Sequence, residues 1–174
     1  MRFFSSALSQ ALSGLGVISG PVNEKKVIVF IKETSFTSAP VTSFFDILPI
    51  SETQLVKNLM EEGIEVIGRE QVGAIVSEKT ILNAIKGDLN SARSIGLKTG
   101  ADIVILGNAV SSLRGDEEKD GIKTVQANIN VKVVSTLESS LIAAKTDFST
   151  IKHEHALQAE LEAFDNAVKK SRIS

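Results

Sequence analysis

His153-Glu154-His155 contains the only two histidines of the sequence, and imidazoles beside a carboxylate are residue types that ligate zinc or copper. At the start of a helix, however, positions two apart point about 200° from each other around the axis, so both rings cannot reach one ion. The pair reads as a solvated helix entry. Asp116, Glu117, Glu118 and Asp120, in the run RGDEEKDG, have the charge for calcium binding or acid–base work. They lack the ligand spacing of a calcium loop, and carboxylates gathered in one exposed turn are screened by water, so the run reads as a hairpin tip. Asp102 precedes an apolar run and suits a turn or cap at a strand entry. Gly14-Leu15-Gly16 is too short for a dinucleotide fingerprint, and no glycine run ending in Lys-Ser or Lys-Thr is present to cradle phosphate. Cysteine is absent, which excludes disulfides, thiolate metal sites and a cysteine nucleophile within these residues and fits cytosol and periplasm alike. The residues indicate no catalytic, cofactor or metal site.

Contact chemistry is better represented. The sequence has eight Phe but neither Tyr nor Trp, so a binding hot spot must be built from Phe, aliphatic or Arg groups. Residues 34–50, TSFTSAPVTSFFDILPI, hold two prolines and many Ser and Thr, which predicts a long loop. Phe36, Phe44 and Phe45 on that loop are the candidate partner contacts. The competing reading tucks the same rings beneath the loop as a satellite core.

The elements that must position these residues follow from periodicity. Residues 1–25 read as an amphipathic helix and lead-in, with Phe4, Leu8, Ala11, Leu15 and Ile18 at three- and four-residue steps. No stretch reaches the roughly 18 to 20 apolar residues of a membrane-spanning helix. Residues 26–174 read as one α/β domain. The apolar run 26–32 predicts a strand buried on both faces. Ser51-Glu-Thr-Gln54 has capping-box form and predicts a helix start, with Leu55, Val56, Leu59 and Met60 as its apolar face and Gly63 as its stop. A short strand at 64–67 completes a parallel strand–helix–strand unit.

Two short helices are predicted between Ser77 and Lys98, separated by Gly87. A further apolar strand follows from Ala101. The alternation of Val125, Ala127, Ile129, Val131 and Val133 with polar residues predicts a strand with one wet face. A hairpin partner is expected at 141–150, with Ile142, Ala144 and Phe148 available to one face. A last helix from about Glu154 is predicted to carry the stripe Leu157, Leu161, Phe164 and Val168. The fold class is therefore α/β: a mixed parallel and antiparallel sheet with helices packed against it, ending in a long antiparallel hairpin and a C-terminal helix.

The stretch Ser91 to Asn108, SARSIGLKTGADIVILGN, resembles the helix-Gly-Ala-Asp-strand signature of a group of periplasmic domains. These are the curli-secretion lipoprotein (CsgG-like) family, the amino-terminal domain of TolB-like proteins and the middle domain of flagellar assembly protein T. The order of elements from Lys26 to Lys170 is similar as well. One departure is Thr136-Leu137-Glu138 in the turn between the last two strands, where such domains often have Thr-Gly. Long additional amphipathic hairpins for a membrane barrel are also missing, so the resemblance does not extend to pore formation. It implies a bacterial envelope module, periplasmic or outer-membrane-associated, that assembles with other envelope proteins or with itself. It brings no catalytic residues.

Composition agrees with such a module without selecting it. The 174 residues suit one domain, and 43% hydrophobic and 23% charged residues give ordinary globular usage. A net charge of -2 offers no electrostatic reason for nucleic-acid binding. The expectation is a non-enzymatic assembly or scaffold module, one part of a larger envelope protein, with peripheral membrane anchoring through an upstream segment. The alternative is a small-molecule sensor or enzyme domain using the cleft at the carboxyl ends of the parallel strands.

Overall fold

The computed structural model describes residues 25–38, 43–46, 48–115 and 121–171. The expected amphipathic helix within residues 1–25 (apart from Lys25) and the acidic turn at 116–120 lie outside the described residues. The order is β1 (Lys26–Thr34), α1 (Ile50–Glu61), β2 (Glu65–Val66), α2 (Glu78–Ile85), α3 (Leu89–Thr99), β3 (Ile103–Arg114), β4 (Lys123–Ser135), β5 (Ser140–His153) and α4 (Ala156–Lys170). One five-stranded sheet runs β2-β1-β3-β4-β5. β1 pairs in parallel with β2 and β3, while β3, β4 and β5 form an antiparallel meander. This is the mixed α/β sheet that the sequence predicts.

β1 explains the two-layer packing. Successive strand side chains point to opposite faces. Val27, Val29 and Ile31 join one core with α1 and α4, and Ile28 and Phe30 join a second with α2 and α3. All five are buried. On β4, Val125, Ala127, Ile129, Val131 and Val133 face the first core, as their alternation predicts.

The ends of α2 and α3 are set by local groups. Ser77 accepts the Thr80 N–H at 3.2 Å to cap α2. Gly100 ends α3 with φ +76, the left-handed conformation that glycine adopts without strain. Asp102 ties the starts of the two central strands together. Its carboxylate accepts the Lys26 N–H at 2.9 Å, and its own N–H donates to Lys26 O at 2.8 Å.

Three expectations are corrected. Ser51 does not cap α1: the helix starts at Pro49, which makes no side-chain cap bond, and Ser51 lies inside the first turn. A carboxylate from β1 satisfies that terminus instead, as described below. On α4 the buried face is Ala159, Glu160, Ala163, Phe164, Ala167 and Val168, whereas Leu157 and Leu161 are 58% and 37% exposed. Small alanines let the helix lie close to the sheet and rotate the leucines outward. On β5, Ile142 packs against the first core, while Ala144 and Phe148 are exposed on the opposite face. A bulge opposite Val133 and Val134 shifts the register between them.

Candidate functional site

In open α/β sheets, ligands bind beyond the carboxyl ends of the parallel strands, where a helix N-terminus offers free N–H groups to an anion. Here that place is filled by the chain itself. Glu33, at the end of β1, accepts the Ile50 N–H at 3.2 Å, the Ser51 N–H at 2.8 Å and the Ser51 hydroxyl at 2.5 Å. Its carboxylate stands where a ligand phosphate would stand.

Three more glutamates complete the closure. Glu160 of α4 is fully buried and accepts hydroxyls from Ser35 at 2.7 Å and from Thr37 and Ser111. Glu78 of α2 accepts the Phe44 N–H at 2.8 Å and the Ser43 hydroxyl at 3.2 Å. Glu52 of α1, 1% exposed, accepts the Ile31 N–H at 2.8 Å and pairs with Arg69 at 3.1 Å. Burial pushes the Glu52 carboxyl up to about 7, against the pull of Arg69 and the Ile31 amide, with nearby Glu33 adding to the rise. Burial likewise lowers Arg69 from its ordinary value, and Glu52 opposes that shift. The loop after β1 is thus fastened by Glu160 at its start and by Glu78 further along, and Glu33 anchors the helix that follows it.

The candidate contact residues separate in this setting. Phe44 and Phe45 are partly buried against the second core. Phe44 lies 6.0 Å from Phe30 and 5.8 Å from Phe45, ring centre to ring centre. The Arg69 guanidinium lies 4.0 Å above the Phe44 ring and donates to Phe44 O at 2.8 Å, a favourable cation–π arrangement. Phe36 is 36% exposed, with its N–H held by the Ser111 hydroxyl at 3.0 Å. The loop therefore shows two rings inward and one outward.

Spacing reveals none of Glu33, Glu52, Arg69 or Glu160 as a unit, because each meets partners far along the chain. The nearest signal is an acid at the end of an apolar strand and another inside an alanine-rich helix. His153 and His155 do not share a helix start: His153 ends β5 and His155 precedes α4. Their rings lie 5.7 Å apart, and His153 Nδ1 accepts the His155 N–H at 3.0 Å. That bond takes up Nδ1 of His153 and ties the end of β5 to the start of α4.

Among the described residues, two further surfaces stand out. Beyond the area covered by α2 and α3, one face of β3, β4 and β5 carries Asn108, Val110, Gln126, Asn128, Asn130, Thr146, Phe148 and Thr150. Val110 and Phe148 are 44% and 55% exposed there. At the opposite end from Glu33, beside the amino ends of β1 and β3, a cavity of about 300 Å³ is lined by residues that include Asp102, Thr136 and Leu137.

This architecture defines a sheet-and-helix domain whose usual ligand position is internally sealed. Residues 26–171 match the model of the TP0693-like lipoprotein C-terminal domain, and the chain belongs to that family. The hypothetical protein CT253 from Chlamydia trachomatis has a similar structure, with TM-score 0.53 and 10% identity over 85% of this chain and 91% of that one. Lipoprotein GNA1162 from Neisseria meningitidis gives TM-score 0.48 and 12% identity over 79% of this chain and 90% of that one. The C-terminal domain of LpoB from Salmonella enterica gives TM-score 0.40 and 11% identity over 86% of this chain and 98% of that one. No curated protein matches the chain. The domain is of envelope lipoprotein type. Among the described residues, no helix is long and apolar enough to cross a membrane.

Proposed function

We propose that this chain is a non-enzymatic module of the bacterial cell envelope that works by protein–protein contact. The observation that carries this reading is the sealing of the carboxyl end of β1, where Glu33 occupies the N-terminus of α1. A catalytic or small-molecule domain of this architecture would keep that position open. The lipoprotein family supports the envelope setting and, with it, a periplasmic or outer-membrane-associated location. The Gly100-Ala101-Asp102 signature supports kinship with the curli-secretion, TolB and flagellar assembly protein T domains. The partner is another envelope protein or a second copy, and the exposure of Phe36 supports it as the loop residue in contact.

A photo-crosslinking amino acid at Phe36, in cells that make the protein at its natural level, tests this. A discrete adduct with an envelope protein or a second copy is expected. Absence of any adduct at Phe36 and at Phe148, together with a marked rise in melting temperature on adding a small metabolite, would favour the sensor or enzyme alternative.

A further inference from the structure

The sheet has two edges of different kind. β2, at one edge, is two residues long, whereas β5, at the other, runs for 14 residues from Ser140 to His153. Among the described residues no strand lies beyond β5, and the strand contains no proline. A long edge of unpaired backbone groups is a template for a further strand.

The groups that face outward follow from the ladder. Thr136, directly after β4, donates its N–H to Asp102 O at 3.0 Å, so even-numbered residues of β4 bond to β3 and odd-numbered ones to β5. With Ile129 opposite Asp147, the odd residues of β5 direct their backbone groups to β4. Ala144, Thr146, Phe148, Thr150 and Lys152 turn theirs to the open side. In the middle of that row both backbone groups of Phe148 are taken by side chains. Asp147 accepts its N–H at 3.0 Å, and Lys170, at the end of α4, donates to its carbonyl at 3.2 Å. The Lys170 amine also lies 5.7 Å from the centre of the Phe148 ring, within cation–π reach.

Charge selects how this edge can meet itself. Two copies related by a two-fold axis must set outward residues against outward residues, so the axis falls at one residue position. The middle of β5 is Thr146 or Asp147. An axis at Asp147 sets that acid against its own copy, and like charges directly opposite destabilise a sheet. An axis at Thr146 sets Lys145 of each copy opposite Asp147 of the other, giving two opposite-charge pairs on the face that packs on the first core. It also pairs Ala144 with Phe148 and Thr146 with itself, about six backbone hydrogen bonds in all.

We propose that the outer edge of β5 is a docking surface for a second copy of this chain, joined antiparallel about Thr146, and that Lys170 and Asp147 hold it shut. On joining, the Phe148 groups pass to Ala144 of the other copy and Asp147 turns to Lys145 of the other copy, so Lys170 is the residue that only guards. This surface is separate from Phe36 and its test needs only the purified chain, so it goes beyond the envelope reading and stands or falls without it.

Lys170→Ala in the full chain removes the guard and leaves the charge pairs of the joined state in place. It changes an exposed side chain, so the melting temperature should stay within about 2 °C of the parent. Sedimentation equilibrium should show this variant dimerising at least about tenfold more tightly than the parent. Adding Asp147→Lys sets like charges opposite each other and should abolish the gain. Because the chain has no cysteine, Thr146→Cys in the Lys170→Ala chain reports the register. Residues paired at the axis have Cα atoms about 5.5 Å apart, within disulfide range, and mild oxidation should give a covalent dimer. Thr150→Cys, about 27 Å from its own copy in this register, should not link. Association of Lys170→Ala no tighter than that of the parent, a gain that survives Asp147→Lys, or linking through Thr150→Cys as readily as through Thr146→Cys overturns the proposal.

Discussion

Removing the Glu33 carboxylate tests whether the chain supplies its own ligand at the N-terminus of α1. Glu33→Ala leaves the Ile50 and Ser51 N–H groups without their acceptor, and with them the hydroxyl of Ser51, which is fully buried. Hydrogen bonds to a charged group contribute about 1.5–3 kcal/mol each, and an acid at a helix N-terminus adds about 0.3–1 kcal/mol through the dipole. The three bonds share one half-buried carboxylate and do not add fully, so a loss of about 2–4 kcal/mol is expected. For a domain of this size that lowers the melting temperature by roughly 5–15 °C. Urea denaturation gives the free energy directly, provided the slope stays the same in both proteins. Tens of millimolar sulfate should restore part of the loss in the variant and have a smaller effect on the parent, because a vacated helix N-terminus takes up an anion. A loss under about 0.5 kcal/mol, the range of ordinary surface substitutions, or equal sulfate stabilisation of both proteins would refute the reasoning.

Three further outcomes are expected. Ile105, fully buried in β3, should cost about 4 kcal/mol or more as Ile105→Asp, and a soluble variant with an unchanged urea midpoint would place that strand elsewhere. Phe44→Ser combined with Phe45→Ser should lose about 3 kcal/mol or more, because both rings pack on the second core and Arg69 covers Phe44. Lost binding with intact stability would instead make these rings a docking surface. Glu52 titrates near 7 in the folded chain against an ordinary 4.5, so between those values the native state holds more protons than the unfolded one. Its contribution is therefore present at low pH and declines by up to ~3 kcal/mol as pH rises through that window. Urea titrations at several pH values should show Glu52→Gln flattening this decline, and an equal or steeper decline in the variant would contradict the assignment.

Among the described residues, the sequence by itself determined the main strands and helices and the faces of β1 and β4, because those rest on local spacing. Five consecutive apolar residues in β1 mark a strand covered on both sides, and the alternation from Val125 to Val133 marks one wet face. Ser77 and Gly100 act within one turn of their own helices, so their roles can be read from neighbours. Only the tertiary structure decided which acid meets which donor. Ser51 is a good cap by local rules, yet Glu33, 18 residues earlier, takes the α1 terminus. Glu160 meets Ser35 across 125 residues, a pairing that no periodicity encodes. The buried face of α4 was likewise chosen by the sheet beneath it, which admits alanines closely and leaves Leu157 outside. Local patterns fix backbone conformation and polarity at short range. The partners of buried charges follow from loop closures whose cost is repaid only when distant elements are already packed.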